Sequence, residues 1–338
     1  MPKGSRKSTI LRKLLLCAIA SIAGLAVLEF ASRLIMPVTW MESLTLDGDP
    51  TPVYQGPYRL IPNLTFRQLS QDYDCLATTT SRGHRAPAVE GSPEVIFLGD
   101  SFTFGLGVTD EQTFVHLFAR DSGLSCVNLA RPGTGTGEQI DILEHFLGEE
   151  KWRPKNIKLC MAVMTDSLLV GNDLADTLIH SWRNGGETRG PAWYQKLSDL
   201  EHILPHSNLA RVFWYCFAPR LRIAFSKRSS QAELAEALRL TEQELLRLAR
   251  LSGELGFSYE VIIIHPLNDI MNNTHGETER IMKELIQDVP VRSTAYLYEH
   301  APMDFYYPYD AHLNPKGHVA LAGMLVAGEN SVPEQGAP

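Results

Sequence analysis

Ser101, Asp310 and His312 have the residue types and placement that nucleophilic acyl chemistry requires. A serine hydroxyl is a weak nucleophile until a hydrogen-bonded base takes its proton, and an imidazole base needs a third group to fix its tautomer and orientation. Asp310 and His312 lie two apart in Asp310-Ala311-His312, so one loop can supply orienter and base together. The carboxylate can reach back to Nδ1 while Nε2 faces the serine. Each residue also has a plain reading. Ser101 could cap a helix after a strand, His312 is one of eleven histidines, and Asp310 could form a turn.

Placement lifts the triad above those readings. Ser101 follows Glu94-Val95-Ile96-Phe97-Leu98, an apolar run that predicts a short buried strand ending at Gly99. In open parallel sheets ligands bind outside the carboxyl ends of strands, which is where this serine would sit. The flanking residues, Gly99-Asp100-Ser101-Phe102-Thr103-Phe104-Gly105, lack the G-x-S-x-G nucleophile elbow of α/β-hydrolases, so another architecture is implied. Asp100 is read as a residue that organises the loop. No H-E-x-x-H metal motif and no G-x-x-x-x-G-K-[ST] phosphate loop occurs, and the expected cofactor and metal content is none.

The positioning elements are predicted as follows. After the first strand, Gln112 to Ser122 reads as helix and Ser125 to Leu129 as strand. A helix follows from about Glu138 to Leu147, then a strand from Ile157 to Met164. Gln231 to Leu255 is a long amphipathic helix with Leu234, Leu238, Leu245 and Leu248 on its apolar face, and Tyr259 to Ile264 is a strand. Met282 to Gln287 and His318 to Ala327 read as helices. Strands alternating with helices across short turns predict a parallel sheet covered on both faces. The fold class is therefore α/β: a three-layer α/β/α, flavodoxin-like domain of about five strands over residues 91–330. Residues 177–222 break the rhythm and read as an insertion. They include Trp182, Trp193, Tyr194 and Trp214, and any of Trp182, Trp193, Tyr194, Tyr306, Tyr307 and Tyr309 could stack on a sugar. Tyr309 has the best location, beside Asp310.

The N-terminus bears on the compartment. Lys3, Arg6, Lys7, Arg12 and Lys13 form a basic flank over residues 1–13, ahead of an uncharged run from Leu14 to Leu28 that continues to Met36. At about 1.5 Å per residue the 14–36 segment reaches about 35 Å, enough for a hydrocarbon core of roughly 30 Å. Glu29 and Arg33 can pair on one helix face at the interface. The reading is a single-pass signal-anchor with the body on the periplasmic or extracellular side. A cleavable signal peptide, ending near Gly24-Leu25-Ala26, is the alternative. Residues 37–90 read as a linker and an irregular or short-stranded lead-in, and 331–338 as a tail.

Beyond residue 40 the chain holds 25 basic and 38 acidic residues, so no nucleic-acid partner is expected. The five scattered cysteines argue against a disulfide framework, though a single bond is compatible with them.

The chain resembles the SGNH (GDSL-type) hydrolase superfamily, in its membrane-anchored exported bacterial form, through several separate blocks. Gly99-Asp100-Ser101 is similar to the first, with Phe102 where leucine is usual. Asn128-Leu129-Ala130-Arg131-Pro132-Gly133 is similar to the second, and Asp310-Ala311-His312 to the last, although Asp-x-x-His is the commoner spacing. The third block, an asparagine, is matched in letters by Gly171-Asn172-Asp173, while strict register with the preceding strand would put Thr165 there. The resemblance implies Ser101 as nucleophile with His312 and Asp310. It also implies an oxyanion hole from the Ser101 and Gly133 backbone N–H groups and the Asn172 amide. Gly135 and Gly137 compete with Gly133, and a helix-capping role competes for Asn172. The implied substrate is an ester, an O-acetyl group on an envelope or exported polysaccharide. An O-acetyltransferase would use the same residues, and a catalytically silent glycan-binding scaffold is the rival from another class.

Overall fold

The computed structural model describes residues 5–35, 42–45, 53–70, 72–162, 207–210, 212, 231–273, 275–285 and 289–329. The chain divides into two compact units, Met1–Trp40 with Arg189–Ser226, and Met41–Thr188 with Lys227–Pro338.

In the first unit the helix Ser5–Ile35 contains Arg12–Leu34, 23 residues of mean hydropathy 2.3, long and apolar enough to cross a membrane. A signal sequence would have the same properties. Glu29 pairs with Arg33 at 2.7 Å, as their spacing predicts. The Glu29 carboxylate also accepts hydrogen bonds from the Ser207 hydroxyl and from the Asn208 and Leu209 N–H groups.

The second unit is built on a sheet whose strands are β6 (Val95–Leu98), β7 (Cys126–Asn128), β8 (Asn156–Met161), β9 (Ser258–Ile263) and β10 (Val291–Ser293). All four pairings are parallel and the order is β10-β9-β8-β6-β7. The chain runs from β6 to β7 on one side and then crosses to β8 on the other. The carboxyl end of β6 is therefore the topological switch point.

Alternation along β6 divides the core between the two faces. Ile96 and Leu98 pack with Ile140, Leu143 and Phe146 of the helix Thr136–Glu149 and with Leu245 and Leu248 of the helix Gln231–Leu255. Val95 and Phe97 pack with Phe114 and Phe118 of the helix Phe114–Ser122 and with Leu321 and Leu325 of the helix Pro315–Glu329. Each such side chain contributes roughly 1.5–3 kcal/mol on burial, which holds the short, four-residue β6 in place. The layering is α/β/α, as the sequence predicts.

Some boundaries differ. The third core strand ends at Met161 rather than Met164. The helix expected over Met282 to Gln287 starts at His275, its first turns being polar and so carrying no apolar signal. The final helix starts at Pro315, where the Asn314 side chain accepts from the Lys316 and Gly317 N–H groups.

The lead-in segment has more structure than a linker. Its strands are β1 (Glu42–Thr45), β2 (Tyr54–Gln55), β3 (Arg59–Leu60), β4 (Thr65–Leu69) and β5 (Asp74–Thr78). Antiparallel pairing gives a β1-β4-β5 sheet and a β2-β3 ribbon. Val53, Leu60, Phe66 and Ala77 form a separate small core with Phe104, in the helical turn after β6, and Ala130, in the loop after β7. The lead-in is thereby packed against the turn that carries Ser101.

Candidate active site

Glycine is required where β6 ends. Gly99 has φ +158°, and a Cβ there would lie 2.2 Å from Thr103 Oγ1 and 3.0 Å from the Cys160 carbonyl oxygen. The chain then turns into the single helical turn Ser101–Phe104. Asp100 caps it by accepting from the Phe102 N–H at 2.9 Å, and Gly105 closes it in the left-handed conformation. Ser101 is the first residue of this turn, so its N–H has no intrahelical acceptor.

The second partner comes from the other end of the sequence. The loop before the final helix is closed by the Tyr307 N–H on the His312 carbonyl at 2.8 Å and the Ala311 N–H on the Tyr307 carbonyl at 3.0 Å. Ala311 takes the left-handed φ of +65°, which folds Asp310 back toward His312. His312 Nδ1 hydrogen-bonds Asp310 Oδ1, and His312 Nε2 lies 2.7 Å from Ser101 Oγ. The Phe102 ring packs on the imidazole with centroids 4.7 Å apart, so the residue at the usual leucine position borders the histidine.

Burial would raise the Asp310 carboxyl, whose side chain is only 3% exposed. The hydrogen bond and charge of His312, with a further bond from Tyr73, outweigh this and hold it below the ordinary carboxylate value. The group is an anion at neutral pH, able to fix the Nδ1–H tautomer and leave Nε2 free as an acceptor facing the serine. Such an arrangement can abstract the hydroxyl proton as the oxygen attacks an acyl carbon.

The turn after β7 is fastened to the same place. The Arg131 N–H donates to the Gly99 carbonyl at 3.0 Å, and buried Asn128 donates from its amide to the Thr103 carbonyl at 2.8 Å. Gly133, exposed in this turn at φ +76°, has open space around it, and among the described residues no acceptor engages its N–H. Gly135 and Thr136 start the next helix instead. Asn172 and Thr165, the alternatives for the third block, lie outside the described residues, as do Trp182, Trp193, Tyr194 and Trp214.

The aromatic expectation divides. Tyr306 is buried and donates to the His265 carbonyl, so it is a core residue and not a stacking platform. Tyr307 donates to the Gly107 carbonyl at 2.8 Å and leans on Tyr73. Tyr309 is 60% exposed beside the triad.

Two residues with no motif signal also reach the triad. The Tyr73 hydroxyl donates to Asp310 Oδ2 at 3.0 Å, and Asp72 Oδ2 accepts the N–H groups of Tyr309 and Asp310 at 2.9 and 2.7 Å. Among the described residues no cluster of His, Cys, Asp and Glu has the make-up of a metal site.

No protein-family model and no curated protein matches the chain. Solved structures do. An acetylxylan esterase from Geobacillus stearothermophilus is 15% identical over 72% of this chain and 96% of that one, with a TM-score of 0.38. A member of the lipolytic G-D-S-L protein family from Veillonella parvula is 12% identical over 70% and 98%, with a TM-score of 0.38. A further acetyl xylan esterase is 11% identical over 70% and 99%, with a TM-score of 0.40. At these identities and TM-scores the likeness says nothing of the site, whose chemistry rests on its own atoms.

Proposed function

We propose that the protein is a serine esterase of the SGNH (GDSL) type that forms an acyl-enzyme at Ser101. The reading rests above all on one observation, the continuous chain of hydrogen bonds from Ser101 Oγ through His312 to Asp310. As Ser101 Oγ bonds to the ester carbonyl carbon, its proton passes to His312 Nε2 and the carbonyl electrons move onto oxygen. The N–H groups of Ser101 and Gly133 stabilise that oxyanion, each such donor typically contributing on the order of 10²- to 10³-fold in rate. The Asn172 side-chain amide, which the resemblance implies as a third donor, lies outside the described residues. Protonated His312 then gives its proton to the leaving alcohol oxygen, and water repeats the sequence to release the acid and free serine.

The reading extends to location and substrate. The helix Arg12–Leu34, with its basic flank, anchors the chain with the Ser101 domain outside the cytoplasm. An acetyl ester on an envelope or exported polysaccharide is the substrate class, in keeping with that side of the membrane. Domain bounds of 91–330 for the hydrolase, plus its lead-in, follow from the same reading.

The full chain in detergent, given 4-nitrophenyl acetate and acetylated xylo-oligosaccharides, tests this. Acetate release that disappears in Ser101→Ala supports the esterase. Acetyl transfer to an added glycan faster than to water replaces hydrolysis with O-acetyl transfer. Unchanged turnover in Ser101→Ala rejects both.

A further inference from the structure

The carboxylate of Asp310 is held from two directions, and one of them is outside the α/β domain. Its Oδ1 faces His312 while its Oδ2 accepts from the Tyr73 hydroxyl. Tyr73 ends the turn between β4 and β5, which is closed by the Ser70 N–H on the Tyr73 carbonyl at 2.9 Å and by Ser70 Oγ accepting from the Asp72 N–H at 3.0 Å. In the same turn Asp72 Oδ2 takes the N–H groups of Tyr309 and Asp310. One hairpin turn thus fixes both the backbone and the side chain of the residue that orients His312.

The surroundings are built to admit this contact. Tyr73 is 7% exposed, and its ring lies where Gly107 leaves room, since a Cβ at Gly107 would come within 2.7 Å of it. Gly107 itself has φ +87°, a conformation that favours glycine. Tyr307 flanks the ring at 5.1 Å between centroids and ties its own hydroxyl to the Gly107 carbonyl. Burial and the nearby Asp310 charge push the Tyr73 phenol well above its ordinary value, so it stays a donor throughout the working pH range.

On the reading of Ser101 as nucleophile, we infer that the β4–β5 turn is part of the active site, with Tyr73 and Asp72 as positioning residues that hold Asp310 in register with His312. A carboxylate held by one bond alone could rotate about its last torsion and lose the Nδ1 contact. The Tyr73 hydroxyl blocks that rotation by occupying the second oxygen. Asp72 keeps the Asp310 backbone from moving with the exposed Tyr309.

The test uses the full chain in detergent with 4-nitrophenyl acetate, following kcat, KM and the thermal midpoint. Tyr73→Phe keeps the ring and removes only the donor. It is expected to lower kcat roughly 10-fold, the size of one hydrogen bond to a charged group, with KM and the thermal midpoint near wild type. Asp72→Ala is expected to lower kcat in the same sense. In an Asp310→Asn background, read by the rate of fluorophosphonate labelling, Tyr73→Phe should add little, because the bond it removes acts through Asp310. Wild-type kcat in Tyr73→Phe, or an equal loss in both backgrounds, overturns the positioning role while leaving a Ser101-dependent enzyme intact. Undiminished turnover in Ser101→Ala overturns the nucleophile reading and this inference with it.

Discussion

Ser101 Oγ and His312 Nε2 stand 2.7 Å apart although 211 residues separate them in sequence. The contact exists because β6 ends at the switch point of the sheet and the loop before the final helix returns to that end. Both sides are locked locally, by the Asp100 cap on one and the left-handed Ala311 on the other.

Removing either partner of the serine should show how far the unit acts as one. His312→Ala and Asp310→Asn are each expected to lower kcat by about 10⁴-fold, and the double variant by little more, because residues that act as a unit are not additive. Steady-state kinetics on 4-nitrophenyl acetate measure this. Independent, multiplying losses would show that the two do not work together.

The pH dependence follows from the charge states. Asp310 lies below the ordinary carboxylate value, so it stays ionised across the assay range. The kcat/KM profile should therefore carry no separate acid-side limb from this carboxylate. A second rising limb at acid pH would indicate that the carboxylate titrates as well.

The approach of Ser101, His312 and Asp310 and the layering were legible because each leaves a local trace. A serine follows an apolar run, an Asp-x-His pair precedes the last helix, and β and helical periods alternate. Asp72 and Tyr73 left none, since their contact with Asp310 spans 237 residues or more and depends on a hairpin whose strands carry no long apolar pattern. Val291–Ser293 was missed for a related reason: it is three half-buried residues at the sheet edge. Tyr306 and Tyr309 are three apart in sequence, yet one is core and the other exposed. Residue type cannot tell them apart.

The turn at Gly99 should tolerate no side chain. Gly99→Ala puts a Cβ 2.2 Å from Thr103 Oγ1 and against the Cys160 carbonyl, with the backbone unable to yield without moving Ser101. Overpacking of this kind costs about 1–3 kcal/mol, and kcat/KM should fall at least about 10-fold with the displaced hydroxyl. Denaturant unfolding and kinetics on the purified variant check both effects. Wild-type values would mean that the turn is looser than its contacts indicate.

Acid should destabilise the domain through two buried histidines. Burial, above all, lowers His84 to about 4 and His318 to about 3, and the His318 Nδ1 accepts the Phe114 N–H, which requires the neutral ring. The unfolded chain protonates both near pH 6.5. Between these values the unfolded state binds more protons, so their contribution to stability is full above about pH 6.5 and is lost as pH falls toward 4 and below. The thermal midpoint should drop over that interval, with a shallower slope in His318→Gln. An equal slope in the variant would show that His318 does not contribute to the acid sensitivity.

Covalent labelling of the folded protein with a fluorophosphonate probe, followed by peptide mass mapping, tests most directly whether Ser101 is the nucleophile. A single adduct on Ser101 is expected, formed in wild type, absent in Ser101→Ala and strongly slowed in His312→Ala. A folded wild-type protein that takes up no probe at Ser101, or takes it up equally fast without His312, would contradict that expectation.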